Sequence, residues 1–430
     1  MRPTRRLIIL AIATLVLTGL LLPLGVREAA PLLLPSLALA ALLAIDLATS
    51  LRASIQLDLD GPDALFAGET ETFHLHFQTP PPHGLTLRFD WPQGLTGPES
   101  LEADAGRART VELPVTARAR GEWPFGQVWL NWTSRFGLIE FIPRTRTDRV
   151  IAVVPDIRPV TRGQIDIAVQ TSLHGQKESY AQGEGSEFHQ LREYVPGESL
   201  RNIDWKRSAR LRRMLAKETR AERNHNVIIA LDNGYLMREA IAGLPKIDHA
   251  INAALATAWA ASVGGDRVGL FSYDARPGLW MPPEPGRQAF PKLRRKLAAL
   301  AYESRESNHT LALATLQQRL RRRSLVIVFS DFVDTTTSEL MVEQLALMSR
   351  QHLVIFIALR DPDTQARAGD TVSSLDDAAK AVSASDMLRD RKIVLERLNQ
   401  LGVLVLDTEP GKLTPQLVST YLDLKAREMA

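Results

Sequence analysis

The sequence contains no cysteine. This absence excludes disulfides, thiolate zinc sites and cysteine nucleophiles, but it does not assign a compartment, because a cysteine-free chain suits cytoplasm and periplasm equally. Other signatures of chemistry are also missing. There is no G-x-x-x-x-G-K-[ST] loop, so the chain is not expected to hydrolyse ATP by itself, and there is no H-E-x-x-H or G-x-S-x-G motif. His74 and His76 share one face of a predicted strand but lack further ligands, so no zinc site is predicted.

A strong net charge is missing as well. The 52 Lys and Arg residues exceed the 49 Asp and Glu residues by only three, so the pI near 9.1 is weak evidence for a nucleic-acid or anionic-lipid partner. The 430 residues are 45% hydrophobic and 23% charged. This composition supports two or three domains with packed cores and does not indicate disorder.

Two long uncharged runs stand near the amino terminus. Residues 7–26 and 29–45 are separated only by Arg27 and Glu28. Twenty residues form about 30 Å of helix, the thickness of a bilayer core. We therefore expect residues 1–50 to form two transmembrane helices arranged as a hairpin. The alternatives are a cleaved signal peptide followed by one anchor, or a buried hydrophobic hairpin in a soluble protein.

Arginines flank the predicted hairpin on both sides. Arg2, Arg5 and Arg6 precede the first run and Arg52 follows the second. Because positive residues remain on the cytoplasmic side of a membrane, we expect both ends of the hairpin, and both soluble domains, to lie in the cytoplasm.

Residues 51–160 show the alternation of apolar and polar residues that is typical of half-buried strands. Runs such as FHLHFQ and GQVWLNWTS are separated by turn clusters such as Pro80-Pro81-Pro82, and successive strands recur about every ten residues. This pattern predicts a small antiparallel β-sandwich, immunoglobulin-like only in a loose sense. Its aromatic residues are expected to form the core rather than a ligand platform. They are Trp123, Phe125, Trp129, Trp132, Phe136 and Phe141.

Residues 226–430 change to continuous apolar strands alternating with helices. The predicted strands include VIIALD, DRVGLFSY, SLVIVFSDF, HLVIFIAL and GVLVLDT. Apolar strands separated by helices predict a parallel, doubly wound α/β sheet that is covered on both faces. Residues 361–390 are rich in acids and small residues and are predicted to form an exposed loop with one early helical turn. A final helix is expected from Pro415.

Between these regions lies a charged segment, residues 161–225. Nine Lys and Arg residues face three Asp and Glu residues between Arg201 and Arg223. Asn202 or Ser199 is expected to cap a short helix from residue 203 to 206, with its Ile and Trp buried and its basic side chains in water. The residues predicted to bind a partner are Gly183, Gly185, Phe188, Arg192, Tyr194, Asp204, Trp205, Lys206, Arg207 and Arg210.

The motif in this segment resembles a known family. It reads G-x-G-x-x-F, then LREY, PG and R-x-IDW-K-x-SAR, and it resembles the signature of the bacterial domain-of-unknown-function family 58. Glu198 stands where many members have Asp. The resemblance implies a protein partner, a MoxR-type AAA+ ATPase, a role in assembly, maturation or envelope stress, and a place in the bacterial inner membrane. No nucleic-acid partner is expected.

Two acids follow predicted strands of the α/β region. Asp232 and Asp331 are expected at one rim of the sheet, and Thr310 starts a helix between them. Carboxylate and hydroxyl oxygens suit Mg²⁺. The set resembles the metal-ion-dependent adhesion site of von Willebrand factor A domains, a fold that the resemblance to the family implies for the carboxyl-terminal region.

That metal motif is incomplete. It begins D-x-S-x-S, whereas this chain has Gly234 and Leu236 at the two serine positions, and waters or Asp334 would have to complete the shell. The competing interpretation is that Asp232 and Asp331 pair with arginines of the 201–223 segment or cap helices. A cofactor is therefore not expected, with Mg²⁺ as the alternative.

Three functions compete. The first is a membrane-anchored interaction module that is not an enzyme, because no complete catalytic constellation is found. The second is a metal-dependent hydrolase with its site at the Asp232/Asp331 rim. The third is anionic-lipid or nucleic-acid binding through Arg201 to Arg223, although Asp204, Glu218 and Glu222 dilute that positive field.

Overall fold

The computed structural model describes residues 1–21, 29–50, 57–77, 84–103, 110–158, 187–195, 203–220, 225–285, 289–333, 335–369 and 374–427. The chain divides into two compact units, Met1–Val154 and Pro155–Ala430. The structure is mixed α/β, with mainly antiparallel sheets in the first unit and a mixed sheet in the second, and this confirms the coarse part of the predicted fold class.

The first unit begins with two helices, α1 (Arg5–Leu21) and α2 (Ala29–Ser50), which pack against each other. The window Leu33–Ser50 of α2 is long and apolar enough to cross a membrane. Among the described residues only this helix meets that criterion, because α1 has 17 described residues. One candidate span, rather than the two expected, is therefore found, and the two-helix hairpin remains a prediction. Its turn lies outside the described residues.

The rest of the first unit consists of short strands. They are β1 (Arg2–Pro3), β2 (Leu57–Asp60), β3 (Ala64–Phe66), β4 (Thr70–Phe77), β5 (Leu85–Phe89), β6 (Leu95–Thr96), β7 (Ser100–Ala103), β8 (Thr110–Ala117), β9 (Gly121–Pro124), β10 (Gln127–Thr133), β11 (Ile139–Phe141), β12 (Arg144–Arg146) and β13 (Val150–Val154). They form one sheet in the order β1-β11-β10-β5-β7 with β12 on β10, a second in the order β2-β4-β8-β6, and a third in the order β3-β13-β9. All pairs are antiparallel except β3 with β13.

The predicted alternation explains the core of these sheets. In β4, Phe73, Leu75 and Phe77 are buried while the two histidines between them are not. The aromatic set is only partly core. Phe125, Trp132 and Phe141 are buried as predicted, whereas the prediction is wrong for Trp129 and Phe136, which are exposed.

The second unit contains a six-stranded sheet in the order β20-β19-β16-β21-β22-β23. Its strands are β16 (Asn226–Asp232), β19 (Arg267–Tyr273), β20 (Pro277–Pro285), β21 (Ser324–Phe329), β22 (Leu353–Leu359) and β23 (Leu404–Thr408). Five strands are parallel and β20 is an antiparallel edge. The sequence pattern missed β20 because its prolines argue against a strand, yet an edge strand tolerates them.

Helices cover both faces of this sheet. They are α4 (Lys246–Val263), α5 (Ala289–Ala298), α6 (His309–Arg319), α7 (Thr335–Ser349), α8 (Pro362–Gly369), α9 (Leu375–Gln400) and α10 (Pro410–Ala426). One apolar core contains buried residues of α4, α5 and α10, and the other contains residues of α6, α7 and α9. The doubly wound arrangement is therefore observed. Two short strands, β17 (Ala240–Ile241) and β18 (Leu244–Pro245), pair just before α4.

The prediction of a loop over residues 361–390 is wrong. The described part of this stretch forms α8 and the first 16 residues of α9. Ser374 caps α9 by accepting a hydrogen bond from the Asp377 backbone, and acids in the first turn favour the helix through its dipole. Asp376 and Asp377, which were interpreted as loop surface, therefore belong to the first turn of a helix. The final helix also begins earlier than Pro415, at Pro410.

Candidate functional site

Two buried acids line one small cavity at the carboxyl ends of neighbouring parallel strands. Asp232 is the last residue of β16, and Asp331 lies two residues beyond the end of β21. The cavity has a volume of about 70 Å³. Sites for small-molecule ligands usually measure about 300–1,000 Å³, so this space suits a few waters or an ion rather than a substrate.

Protein groups already occupy the oxygens of Asp232. Its Oδ1 accepts hydrogen bonds from the Gly234 backbone at 2.8 Å and from the Ser307 hydroxyl, and its Oδ2 accepts one from the Ser330 hydroxyl at 2.6 Å. Sequence reasoning missed both serines. Ser330 sits between β21 and Asp331 and was available as a signal, whereas Ser307 precedes α6 and is separated from Asp232 by 75 residues.

Gly234 explains how Ser307 reaches this position. A Cβ built on Gly234 would lie 2.0 Å from the Ser307 Oγ and 3.0 Å from the Arg305 carbonyl oxygen. A serine at position 234 would therefore collide with the hydroxyl that now contacts Asp232. The oxygen missing from the D-x-S-x-S pattern at position 234 is thus supplied by Ser307, from a different element.

Thr310 does not play the expected part. It is the second residue of α6, and in the described structure its hydroxyl makes no hydrogen bond to Asp232. The cap of α6 is Asn308, whose side chain accepts a hydrogen bond from the Leu311 backbone at 3.0 Å. His309, the neighbour of Thr310, lines the rim cavity instead.

Internal cations neutralise Asp331. Its Oδ2 lies 2.5 Å from the Lys246 Nζ, and its Oδ1 lies 3.1 Å from a guanidinium nitrogen of Arg391. Lys246 also pairs with Glu239, and Arg391 with Asp407 at 3.1 Å. Burial alone would lower the pKa of Lys246, but its two carboxylate partners outweigh burial and raise it. The cations on Asp331 therefore come from α4 and α9, not from the 201–223 segment of the competing interpretation.

Burial shifts the titration of the groups around Asp232. It raises the pKa of Asp232, opposed by His309 and by the hydrogen bonds from Ser307, Ser330 and Gly234. It also lowers the pKa of His309, opposed by the nearby Asp232. Burial thus opposes the charged form of each group, while the attraction between Asp232 and His309 and the hydrogen bonds to Asp232 favour it.

The rim offers few free oxygens to an ion. Among the described residues no group of three or more His, Cys, Asp or Glu side chains could hold a metal. The side-chain oxygen of buried Asn233 lacks a hydrogen-bond partner in the described chain. Mg²⁺ requires a near-octahedral oxygen shell, whereas the carboxyl oxygens of Asp232 and Asp331 already accept hydrogen bonds or pair with cations of the protein. The geometry therefore favours a structural role for Asp232 and Asp331; Asp334 lies outside the described residues.

The charged segment folds as a hairpin with a helix inside it. Strands β14 (Glu187–Glu193) and β15 (Leu215–Arg220) pair antiparallel, and α3 (Trp205–Leu211) lies between them in the chain. Asp204, rather than Asn202 or Ser199, caps α3 by accepting a hydrogen bond from the Arg207 backbone at 3.1 Å. Buried Ser208 ties the helix to β15 by accepting a hydrogen bond from the Leu215 backbone at 2.9 Å.

The outer face of α3 projects into solvent. Ile203 is buried as predicted, but Trp205 is 62% exposed, so its predicted docking is wrong. Lys206, Arg207 and Arg210 are exposed as well. We call the exposed side chains of α3 and of Arg212 and Arg213 the α3 surface.

The other predicted partner-binding residues are placed unevenly. The Tyr194 backbone donates a hydrogen bond to the Met214 carbonyl at 2.9 Å, which holds the end of β14 beside the α3 surface. Phe188 and Arg192 belong to β14, and their side chains lie outside what the structure describes. Gly183 and Gly185 lie outside the described residues altogether.

Comparison with known proteins identifies relatives of part of this chain. An uncharacterized protein of Mycobacterium tuberculosis (strain ATCC 25618 / H37Rv) is 29% identical over 192 residues, which cover 44% of this chain and 60% of the relative. The uncharacterized protein YeaD of Bacillus subtilis (strain 168) is 27% identical over 256 residues, covering 54% of this chain and 61% of the relative. This chain thus spans about three fifths of the length of these relatives.

The family model that matches is described as protein of unknown function DUF58, and it covers residues 190–393. The match runs from β14, through α3 and both acids of the rim, into α9. The resemblance inferred from the motif is confirmed over that range: residues 190–393 match the DUF58 family of proteins of unknown function.

Proposed function

We propose that this chain is a membrane-anchored protein-interaction module that works with a MoxR-type AAA+ ATPase in assembly, maturation or envelope stress. The observation that carries the proposal is the α3 surface. A tryptophan that is 62% exposed stands among arginines and a lysine, on a helix that Asp204 caps at its first turn and that Ser208, at its middle, ties to β15. Tryptophan and arginine are the residues that most often dominate protein interfaces.

The ATPase partner would perform the energy-consuming step. This chain has no P-loop, and its rim is filled by its own serines, Lys246 and Arg391. In this proposal the second unit is a von Willebrand factor A-like domain whose metal position has been replaced by internal hydrogen bonds and cations. The same contacts argue against a hydrolase at the rim.

The proposed anchor is a two-helix hairpin with both soluble units in the cytoplasm of a bacterial inner membrane. The apolar window of α2 supports the anchor. The packing of α1 on α2 supports a hairpin, and Arg2, Arg5 and Arg6, just before and in the first turn of α1, favour a cytoplasmic location for that end. Extraction with alkaline carbonate tests the anchor, because release of the intact chain would contradict it.

Charge reversal on the α3 surface tests the partner. The full chain in detergent is titrated with the purified MoxR-type ATPase of its host, and the Kd is measured for wild type and for the Arg210→Glu/Arg213→Glu variant. We expect binding to weaken about tenfold or more, because charges are reversed at the contact. Both arginines are exposed, so the thermal unfolding midpoint should not change.

The matched control is Arg294→Glu/Arg295→Glu, which makes the same charge change at two exposed arginines of α5. Its Kd should equal that of wild type. Equal weakening by both variants would indicate a non-specific effect of net charge, and an unaffected Arg210→Glu/Arg213→Glu variant would exclude the α3 surface. If anionic vesicles or nucleic acid bound at that surface with steep salt dependence while the ATPase did not, the third function would replace this one.

A further inference from the structure

Asp46 is a buried acid near the end of the apolar helix α2. Its side chain is fully buried, although most of α2 is exposed. Its Oδ2 accepts a hydrogen bond from the Ser134 hydroxyl at 2.5 Å, and its Oδ1 accepts one from the Phe136 backbone at 2.9 Å. The Arg135 backbone adds a hydrogen bond to the Ser50 hydroxyl at 3.0 Å. The end of α2 is therefore tied to the turn between β10 and β11.

The same turn also holds the beginning of α1. The Thr4 backbone donates to the Leu138 carbonyl at 3.0 Å, and the Thr4 hydroxyl donates to the Gly137 carbonyl at 2.6 Å. Strand β1 pairs with β11, with Arg2 opposite Glu140. We call residues 134–138 the clamp loop, since they contact the start of one helix and the end of the other.

These contacts determine the depth of the clamp loop relative to the apolar window. Asp46 lies four residues before Ser50, the end of that window, and four residues of helix span about 6 Å. The clamp loop contacts both Ser50 and Asp46, so it spans the depth from the window's end to about 6 Å inside it. That depth corresponds to the boundary between headgroups and acyl chains, where side chains of interfacial proteins are buried by about 5–10 Å.

The exposed side chains of the clamp loop match such a location. Phe136 is 44% exposed, and its neighbour Arg135 is exposed. Arg2, Arg5 and Arg6, at the start of α1, are exposed too. An aromatic ring suits the acyl boundary, while arginines at that level pair with lipid phosphates. Glu140 is the acid opposite Arg2 in the sheet, and its side chain is already engaged, because it accepts a hydrogen bond from Asn131 at 2.7 Å.

We propose that the clamp loop is a membrane-interface element of the β-sheet unit, with Phe136 inserted at the acyl boundary and Arg135 and the arginines of the α1 start bound to anionic phospholipid headgroups. The inference rests on the proposed anchor, because it places the loop relative to a bilayer that α2 spans. It assigns to the first unit a lipid-binding surface that is separate from the α3 surface.

The chain has no native cysteine, so an introduced cysteine is the only thiol that the label can react with. Phe136→Cys is introduced into the full chain, labelled with a nitroxide and reconstituted in nanodiscs of phosphatidylcholine alone or with phosphatidylglycerol. Accessibility to oxygen and to a water-soluble nickel complex then reports depth. Val150→Cys is the matched control, because Val150 is a similarly exposed apolar residue of the same unit. We expect oxygen to relax the label at 136 and nickel to relax the label at 150.

The anionic preference is tested in the same samples. Adding Arg135→Glu to Phe136→Cys should reduce the depth signal in the phosphatidylglycerol discs and leave it almost unchanged in phosphatidylcholine. The headgroup assignment would be contradicted if the label at 136 had the same depth with and without phosphatidylglycerol, both in Phe136→Cys and in Phe136→Cys/Arg135→Glu. Dipolar broadening between labels at 136 on two copies would assign the surface to a second copy of the chain and overturn the proposal.

Failure of the anchor is distinguishable from failure of this inference. Carbonate extraction is performed on the same labelled chain. A chain that resists extraction but shows label 136 as accessible to nickel as label 150 contradicts the clamp-loop proposal alone. A chain that carbonate releases contradicts the anchor, and the inference with it. If Phe136→Cys does not fold, Arg135→Cys measures the depth of the adjacent exposed position instead, with Val150→Cys again as the control.

Discussion

Gly234 leaves the space that the Ser307 hydroxyl occupies, and Ser307 supplies the hydroxyl that a serine at position 234 would have carried. The Ser307 hydroxyl lies where a side chain at position 234 would begin, and it donates to the carboxylate of Asp232. The glycine is therefore required by the close approach of Ser307 rather than by a positive φ angle. Its φ is −74°, which any residue adopts.

We expect Gly234→Ala to destabilise the second unit by about 1–3 kcal/mol, because a methyl group would be forced against the Ser307 hydroxyl and the Arg305 carbonyl. Adding Ser307→Ala removes the clashing oxygen. The double variant should therefore lose about 1 kcal/mol less free energy of unfolding than the two single variants lose together. Unfolding of the detergent-solubilised chain measures both. Gly411→Ala is the control, since a Cβ there meets nothing within 4 Å; additive effects of the pair would contradict the steric account.

The residues that occupy the rim were only partly predictable. The sequence showed Asp232 and Asp331 because each follows an apolar strand, and strand ends are short-range features. It did not show Lys246 and Arg391, which lie 85 and 60 residues from Asp331 in the chain. Such pairs form only after helices have packed on both faces of the sheet. Local patterns therefore predict which acids reach the rim but not which groups neutralise them.

At the scale of elements, one buried acid, Asp266, adds polar contacts to the apolar packing of α10. The Tyr421 hydroxyl donates to Asp266 Oδ2 at 2.5 Å, the Lys425 Nζ lies 2.8 Å from Asp266 Oδ1, and the His225 backbone donates to the same oxygen at 3.0 Å. Burial and the nearby Asp266 carboxylate raise the pKa of Tyr421, so its hydroxyl remains a donor across the accessible pH range.

Tyr421→Phe should lower the free energy of opening of α10 by about 1.5–3 kcal/mol, the usual loss for a hydrogen bond to a charged group. Hydrogen exchange followed by mass spectrometry on the full chain in detergent reads this locally, with faster exchange expected in α10 before the central strands. Tyr235→Phe removes a hydroxyl from a ring that is 43% exposed and should change little. Equal exchange of α10 in both variants would show that the hydrogen bond from Tyr421 to Asp266 does not contribute to the stability of α10.

Elements with a strong period were predictable, and those with conflicting signals were not. The run VIIALD became β16 and residues 246–262 became α4 almost to the residue. The edge strand β20 and the start of α9 were missed, because prolines and acids respectively are typical of loops. At a sheet edge the missing N–H of proline faces solvent, and at a helix start acids are stabilised by the dipole, so tertiary position reversed both local indications.

At the scale of the whole molecule, the two units differ in what their sequences disclosed. Alternating and continuous apolar runs predicted mainly antiparallel sheets in the first unit and a doubly wound sheet in the second, as observed. The contacts of Asp46 with the clamp loop join residues 88 and 90 positions apart, and no local pattern indicates them. The proposed interaction surface shows a similar division: the sequence motif marked the segment, whereas only the structure shows that Trp205 is exposed.

The measurement that tests the central claim most directly is photocrosslinking from position 205 in the living host. A photoreactive amino acid replaces Trp205 in the full-length chain, and mass spectrometry identifies what becomes attached. Leu375 is the control position, because it is 91% exposed on a different helix. The account predicts a MoxR-type AAA+ ATPase attached at 205 and not at 375. No ATPase at 205, or the same ATPase recovered equally from both positions, would contradict it.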